Sequence, residues 1–550
     1  MKKFLRKILF LAVLCLLNSF SSTIIAQQVS QAEINSYFGK LPFEMFPITL
    51  PSFPQKYFDV KNYGALNDGL TLNTKAFQKA IDECSNSGGG YVVVPSGFWL
   101  TGPIELKNNV NLHLERGAMI VFSSNHEDYP IVKVGGKVGF MNAFPISGKD
   151  LNNIAITGEG LINGNGQTWR PVKKSKMNSS QWKGLLNSGG YLTNNNEMWW
   201  PTKKASEAES FLAERSLKNF TIDDFEKIRD YYRPNLLNLT NCKNVLFDGP
   251  TFQNSPKFAI YITKSENIII RDVKINNEWY AQNGDGIDLS ACKNALIYKC
   301  TVNAGDDGIC MKSSGKHTDG PEMKNIIVAD CVVYHAHGGF VIGSNTDGGI
   351  ENVYVTNCNF VWSDTGLRFK SGIKNGGLVK NIFINNILMK DIANEAIIFD
   401  LNYEDKGAAK TKDKKTEMKI PLFTGIHIDR LICEGAKQAV LINDLPDISV
   451  RDIELSNSTI VADSGFESVN AENIKLKNVV IKSNSDSQFA IKDGRNFEFN
   501  TTSCNSGAKY FLKLTGSKTE NIKLINSKTD CSKQPFIFED GASQKALIVN

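Results

Sequence analysis

Four short polar clusters stand between positions 283 and 370: Asn283-Gly-Asp285-Gly-Ile-Asp288, Gly305-Asp306-Asp307-Gly308, His337-Gly338-Gly339 and Arg368-Phe-Lys370. Their leading residues, Asp285, Asp306, His337 and Arg368, are 21, 31 and 31 residues apart. Crowded carboxylates resist ionising together, which raises the proton affinity of one of them toward what an acid catalyst needs. An imidazole beside such a pair can tune its protonation. Two cations two residues apart on a strand share a face and suit an anionic group. A Gly-Asp-Asp-Gly element alone reads equally well as a turn or a calcium site. A lone His is more often a hydrogen-bonded loop residue. Their recurrence at matching intervals favours one site for acid/base cleavage of an acidic sugar chain. His335 is a rival imidazole that strict alternation would turn to the same side.

Such a site needs elements that stack. An Asn followed by aliphatic residues recurs at Asn244, Asn267, Asn294, Asn325, Asn352 and Asn381, in steps of 23, 27, 31, 27 and 29. It continues at Gly425, Asp447, Asn473, Asn496 and Asn521, with earlier copies at Asn109 and Asn153. A period of about 22 to 31 residues with short alternating segments is the mark of stacked β-coils. Six residues after each of these positions an inward slot is expected, filled by Val273, Cys300, Cys331, Cys358, Ile387, Leu431, Ile453 and Val479. The three cysteines are therefore read as core packing rather than disulfides. Asn suits left-handed turns, so the repeated Asn is read as structural.

The 550 residues carry a net charge of only +5, too little to argue for nucleic acid and compatible with a polyanionic partner. Lys2, Lys3, Arg6 and Lys7 precede a short apolar run, which predicts a signal peptide over 1–26 and an exported, periplasmic or extracellular protein without a membrane span. An extension over 27–56 and a β-helix domain over 57–550 follow, the latter broken by an insertion at about 165–235. Helix is expected at 73–87, capping the first coil, and at 221–232 inside the insertion; residues 406–419, rich in lysine, are expected as a second loop. Trp199 and Trp200 could stack on sugar or pack the insertion.

At these residues the chain resembles glycoside hydrolase family 28, the polygalacturonase family. Asn283-Gly284-Asp285 matches the family's Asn-Thr-Asp, Asp306-Asp307 its Asp-Asp, Ala336-His337-Gly338 its Gly-His-Gly, and Arg368-Phe369-Lys370 its Arg-Ile-Lys. The resemblance spans about residues 57 to 540. It implies an all-β, single-stranded right-handed parallel β-helix of the pectin-lyase-like kind, with a helical N-terminal cap and inserted loops. It also implies inverting hydrolysis of α-1,4-galacturonosyl linkages in a galacturonate-containing poly- or oligosaccharide, by a monomer without metal or other cofactor. Asp306 would be the general acid, Asp285 and Asp307 would hold and deprotonate the water, and His337 would keep the acid protonated. Asn283, Arg368, Lys370 and Tyr403 would bind substrate. The insertions favour exo-action. Competing expectations are a rhamnogalacturonan galacturonohydrolase, a calcium-dependent pectate lyase and a non-catalytic β-helix binding protein.

Overall fold

The computed structural model describes residues 30–136, 138–315, 320–403, 420–446, 449–504 and 508–550. The expected signal peptide and the 406–419 loop lie outside them. Among the described residues, 36 strands join through parallel pairings, each strand bonded to its counterpart about one repeat away in sequence. Parallel strands joined by crossovers wind right-handed, and the product is a right-handed parallel β-helix. Its interior is one continuous column of buried aliphatic and aromatic side chains from Val60 to Leu524.

The repeated Asn makes the turn that starts each coil. Asn244, Asn267, Asn294, Asn325, Asn352 and Asn381 all have φ between 56° and 62°, where most L-residues are strained. An amide both donates and accepts, so the side chains also bond one another. Nδ2 of Asn325 donates to Oδ1 of Asn294 (3.1 Å), and Nδ2 of Asn352 donates to Asn325 (2.9 Å). Nδ2 of Asn381 continues the ladder to Asn352 at 3.2 Å.

The inward slot also forms: Val273, Cys300, Cys331, Cys358, Ile387, Leu431 and Val479 are all buried. Those cysteines are free, and burial pushes the Cys331 and Cys358 thiols well above their usual range. Ile453 is also buried but belongs elsewhere. It pairs with Ile426 and Ile474, one residue after a left-handed turn at Asp452 (φ 56°); the expected coil start, Asp447, lies outside the described residues. The slot on that coil holds Ser458, whose hydroxyl accepts from the backbone N–H of Leu431.

The capping helix spans Thr74–Asn86 and turns Phe77, Ala80, Ile81 and Cys84 onto the first coil. The extension crosses the outside of the sheet that carries the Asn ladder. Its Ile34, Ile48 and Phe53 cover Ala155, Leu246, Ile269, Leu296 and Ile327, and Tyr37 Oη donates to Asp330 at 2.7 Å. That cover explains why strands such as Lys243–Asp248 are apolar on both faces.

The insertion is more helical than the sequence pattern indicates. Helices span Ser179–Asn187, Lys203–Glu214 and Ile222–Glu226, so the helix expected over 221–232 ends early and a 3-10 turn, Arg229–Tyr231, follows. The first two buried only Trp182, and Ala205 with Ala208, which is too thin a stripe to register as periodicity. Trp199 and Trp200 pack inside the insertion: their indole N–H groups donate to Gly189 O and Thr193 Oγ1. A disulfide, Cys504–Cys531, ties the last coils. No helix among the described residues is long and apolar enough to cross a membrane.

Candidate active site

Five consecutive strands of one sheet carry the site: β1 (Ile260–Thr263), β2 (Ile287–Ser290), β3 (Asp307–Lys312), β4 (Gly338–Ile342) and β5 (Leu367–Lys370). They are in register, with Asp288 beside Cys310, Cys310 beside Val341 and Val341 beside Arg368. The turns before the strands are tied as tightly. The N–H of Gly286 donates to Asp307 O at 2.9 Å, and that of His337 to Asp306 O at 2.8 Å. Asp285, Asp306 and His337 therefore enter the sheet edge on three successive coils, while Asp307, Arg368 and Lys370 project from the strands.

The result is a trio of carboxylates. One oxygen each from Asp285, Asp306 and Asp307 lies within 4.8 Å of the others. A water making hydrogen bonds of about 2.8 Å to two acceptors up to that far apart keeps a near-tetrahedral angle, so the gap fits one bridging water. The spacing is tighter than the wide separation usual for inverting pairs.

The three acids sit in different fields. Asp307 is buried, with Lys370 Nζ 2.7 Å from Oδ2 and Arg368 Nη1 3.4 Å from Oδ1. Burial opposes its charge, but Lys370, Arg368 and Lys312 outweigh burial and hold its carboxyl well below the usual range. Asp285 is also buried, and there burial and the neighbouring Asp288 prevail, pushing its carboxyl well up although Lys312 opposes them. Lys312 Nζ lies 3.2 Å from Asp285 and 2.6 Å from Asp288. Asp306 is only partly buried, and its Oδ1 lies 3.0 Å from His337 Nδ1. The other ring nitrogen, Nε2, faces Lys176 Nζ at 3.2 Å and Asp364 at 3.6 Å. An ammonium only donates, so a neutral imidazole here accepts at Nε2 and presents Nδ1–H to Asp306.

The expected binding residues divide. Tyr403 lies over both cations, its ring centre 5.0 Å from Lys370 Nζ and 5.3 Å from the Arg368 guanidinium carbon. The side chain of Asn283 is already engaged: its Oδ1 accepts from Arg233 Nη2 at 2.9 Å. His335 departs from alternation in a left-handed turn (φ 54°), and its ring stacks on Trp362 rather than on the acids. Gly339 serves packing rather than substrate approach, since a Cβ there would stand 2.4 Å from the Phe360 ring. Lys312 and Lys176 escaped sequence reasoning, and Asp288, the last residue of the first cluster, carries no assigned role there. Lys312 and Asp288 form a buried pair beside Asp285: Asp288 lies in register with Cys310, and Lys312, two residues on, shares the face of Cys310. Lys176 arrives from the insertion.

A carboxylate trio can in principle hold a cation. Here Lys312, Lys370 and Arg368 already set three positive charges against Asp285, Asp288 and Asp307, which disfavours a further divalent charge among them.

Comparison with known proteins agrees with this architecture. The profile of "Glycosyl hydrolases family 28" matches residues 224–427, the stretch that carries every strand of the site. A second profile, "Rhamnogalacturonase A/epimerase, pectate lyase-like", matches residues 57–116. The chain is 30% identical over 365 residues to an exo-poly-alpha-D-galacturonosidase of Dickeya chrysanthemi, an alignment covering 64% of this chain and 58% of that one. It is 27% identical over 414 residues to a probable polygalacturonase of Vitis vinifera, covering 72% and 73%. A hyperthermoactive exopolygalacturonase from Thermotoga maritima superposes with a TM-score of 0.62 at 28% identity, over 82% of this chain and 95% of that one. A family 28 exopolygalacturonase of Yersinia enterocolitica shares the fold with the same TM-score at 22% identity, over 81% and 78%. Profile, relatives and fold together make the chain similar to glycosyl hydrolases family 28 over the stretch that carries the site.

Proposed function

We propose that this chain is an exported glycosidase that hydrolyses α-1,4-galacturonosyl linkages of a pectin-type chain with inversion, from the chain end. The observation that carries the reading is the contrast between Asp307, buried against Lys370 and Arg368, and Asp306, only partly buried against His337. One carboxyl is held ionised to face a water, and the other can reach a leaving group.

In the reaction, a water cradled by Asp285 and Asp307 attacks the anomeric carbon as the bond from that carbon to the glycosidic oxygen breaks. Asp306 delivers its proton to the departing oxygen. The attacking water gives its proton to Asp285, whose raised proton affinity makes it the better acceptor, while Asp307 stays ionised and orients the water. His337 then does something other than keep the acid protonated: its Nδ1–H meets the charge left on Asp306 as the proton departs. Lys370, Arg368 and Tyr403 form a cationic, aromatic-lidded seat for the substrate carboxylate beside the cut.

Support for exo-action comes from the insertion, which sends Lys176 to the site, and from the names of the Dickeya and Thermotoga relatives. The basic, apolar N-terminus supports export. The test is digestion of polygalacturonate followed by proton NMR of the first products. Short saturated products that appear first as the β-anomer, at a rate unaffected by chelator, are expected. Unsaturated products absorbing in the ultraviolet and lost on chelation would instead establish a lyase.

A further inference from the structure

Beside the catalytic trio, on its N-terminal side, lies a cavity of about 350 Å³ that the mechanism above does not use. Trp200, Tyr231 and Tyr232 of the insertion wall it, and Arg233, Lys257 and Asn283 line the side toward the site. Lys257 is on the coil directly before Asp285. Ile260 pairs with Ile287, and the N–H of Ala259 donates to Asp285 O at 2.9 Å.

The cations here differ in employment. Arg233 is spent on the scaffold, donating to Pro256 O, Gln282 O and Asn283 Oδ1. Lys312 faces the same Phe258 ring as Lys257, at 4.5 Å, but is paired to Asp285 and Asp288. The Lys257 ammonium, 5.0 Å from that ring, has no hydrogen-bond or ion-pair partner among the described residues; only the backbone carbonyl of Lys257 is engaged, by Ser255 Oγ. Burial and the charge of Arg233 both work against its ammonium. Glu209, the acidic residue of the lining, has its carboxylate near the Tyr231 hydroxyl, 3.3 Å away. A half-buried, unpaired ammonium in an aromatic-walled cavity is an anion receptor awaiting its anion.

The direction of the cut says which sugar reaches it. Asp306 faces His337 on the following coil, so the leaving group lies toward Arg368 and Lys370. The attacked sugar then lies toward Asp285 and the coil of Lys257.

We infer that this cavity seats the non-reducing-terminal galacturonate of the substrate and that Lys257 receives its carboxylate. The inference rests on the functional reading above and adds the residue that selects an acidic chain end. The insertion wall ends the groove, and Lys257 distinguishes a uronate there from a neutral sugar.

The experiment compares trigalacturonate with the same trimer whose non-reducing-terminal carboxyl is reduced to a primary alcohol. Wild type is expected to show a KM at least about tenfold lower for the acidic trimer, as a charge-assisted hydrogen bond would give. Lys257→Met should raise KM for the acidic trimer by that factor, alter kcat much less, and leave the neutral-ended trimer unchanged. Lys257→Arg should keep most of the discrimination. An unchanged KM in Lys257→Met, or equal losses on both trimers, overturns this inference alone. A wild type that releases no reducing ends from trigalacturonate overturns the functional reading, and this inference with it.

Discussion

His337 stands 3.0 Å from Asp306 through Nδ1, while its opposite nitrogen is occupied by Lys176, 161 residues away in sequence. The imidazole is thus fixed from behind by the insertion, and its N–H is aimed at the carboxyl that would lose a proton. His337→Ala should lower kcat by about 10²- to 10³-fold with KM little changed, because the lost contact matters most as charge develops. Lys176→Met should lower kcat less, by loosening the ring. Steady-state kinetics on polygalacturonate check both.

Asp306 and Asp307 are neighbours in sequence with opposite structural burdens. Either Asp→Asn change should remove about three to four powers of ten of activity, and the double variant should be little worse than the singles. Stability should separate them. Asp307→Asn leaves the buried Lys370 ammonium without its counter-charge and should cost about 3 kcal/mol. Asp306→Asn should be nearly neutral. Urea unfolding at pH 7 distinguishes the two.

Lys312 holds two buried carboxylates. Lys312→Met should destabilise by about 3 to 5 kcal/mol at pH 7, since Asp285 and Asp288 then share no cation at hydrogen-bond distance. The deficit should shrink as pH falls, because both carboxyls already have raised proton affinity and take up protons in place of the lost charge. Denaturation midpoints from pH 7 to 4 give the slope.

Asp444 supplies a pH signature far from the site. Buried, it accepts backbone N–H bonds from Leu445, Ser449 and Val450, yet burial outweighs them and lifts its carboxyl to about 6. The folded state binds this proton more tightly than the unfolded chain does. Its stabilisation is therefore complete below the ordinary carboxylate range and is lost as pH rises through about 6, a change of roughly 3 kcal/mol. The Asp307 carboxyl, held low, works in the opposite sense, stabilising above its ordinary range and failing only in strong acid. Melting temperatures between pH 4 and 7 should fall less steeply in Asp444→Asn than in wild type.

What could be read from the sequence followed the repeat. Asn267, Asn294, Asn325 and Asn352 set the phase of successive coils, and that phase brings Asp285, Asp307, His337 and Arg368 onto neighbouring coils. The reading slipped where chemistry imitates the pattern. Asp447-Ile-Ser-Val resembles a coil start, yet the left-handed turn falls at Asp452. It was blind where contacts come from afar. A lone Lys176 in a basic segment looks like any solvated lysine until the insertion docks. Lys312 looks the same until alternation with Cys310 places it on the face that meets Asp288. A single repeat shows only the turn chemistry of its Asn, because amide-to-amide bonding between coils leaves no trace within one repeat.

That ladder has a consequence for how such a groove can change. Each coil is bonded to the next through its Asn amides and its strands, so coils are added or removed only as whole units, each advancing the groove by about 4.8 Å. The distance between the acids and the cations of Arg368 and Lys370 is thus a whole number of coils. A family built this way can adjust the reach of its groove only in discrete steps, and fine adjustment falls to insertions such as the one that carries Lys176 and Trp200.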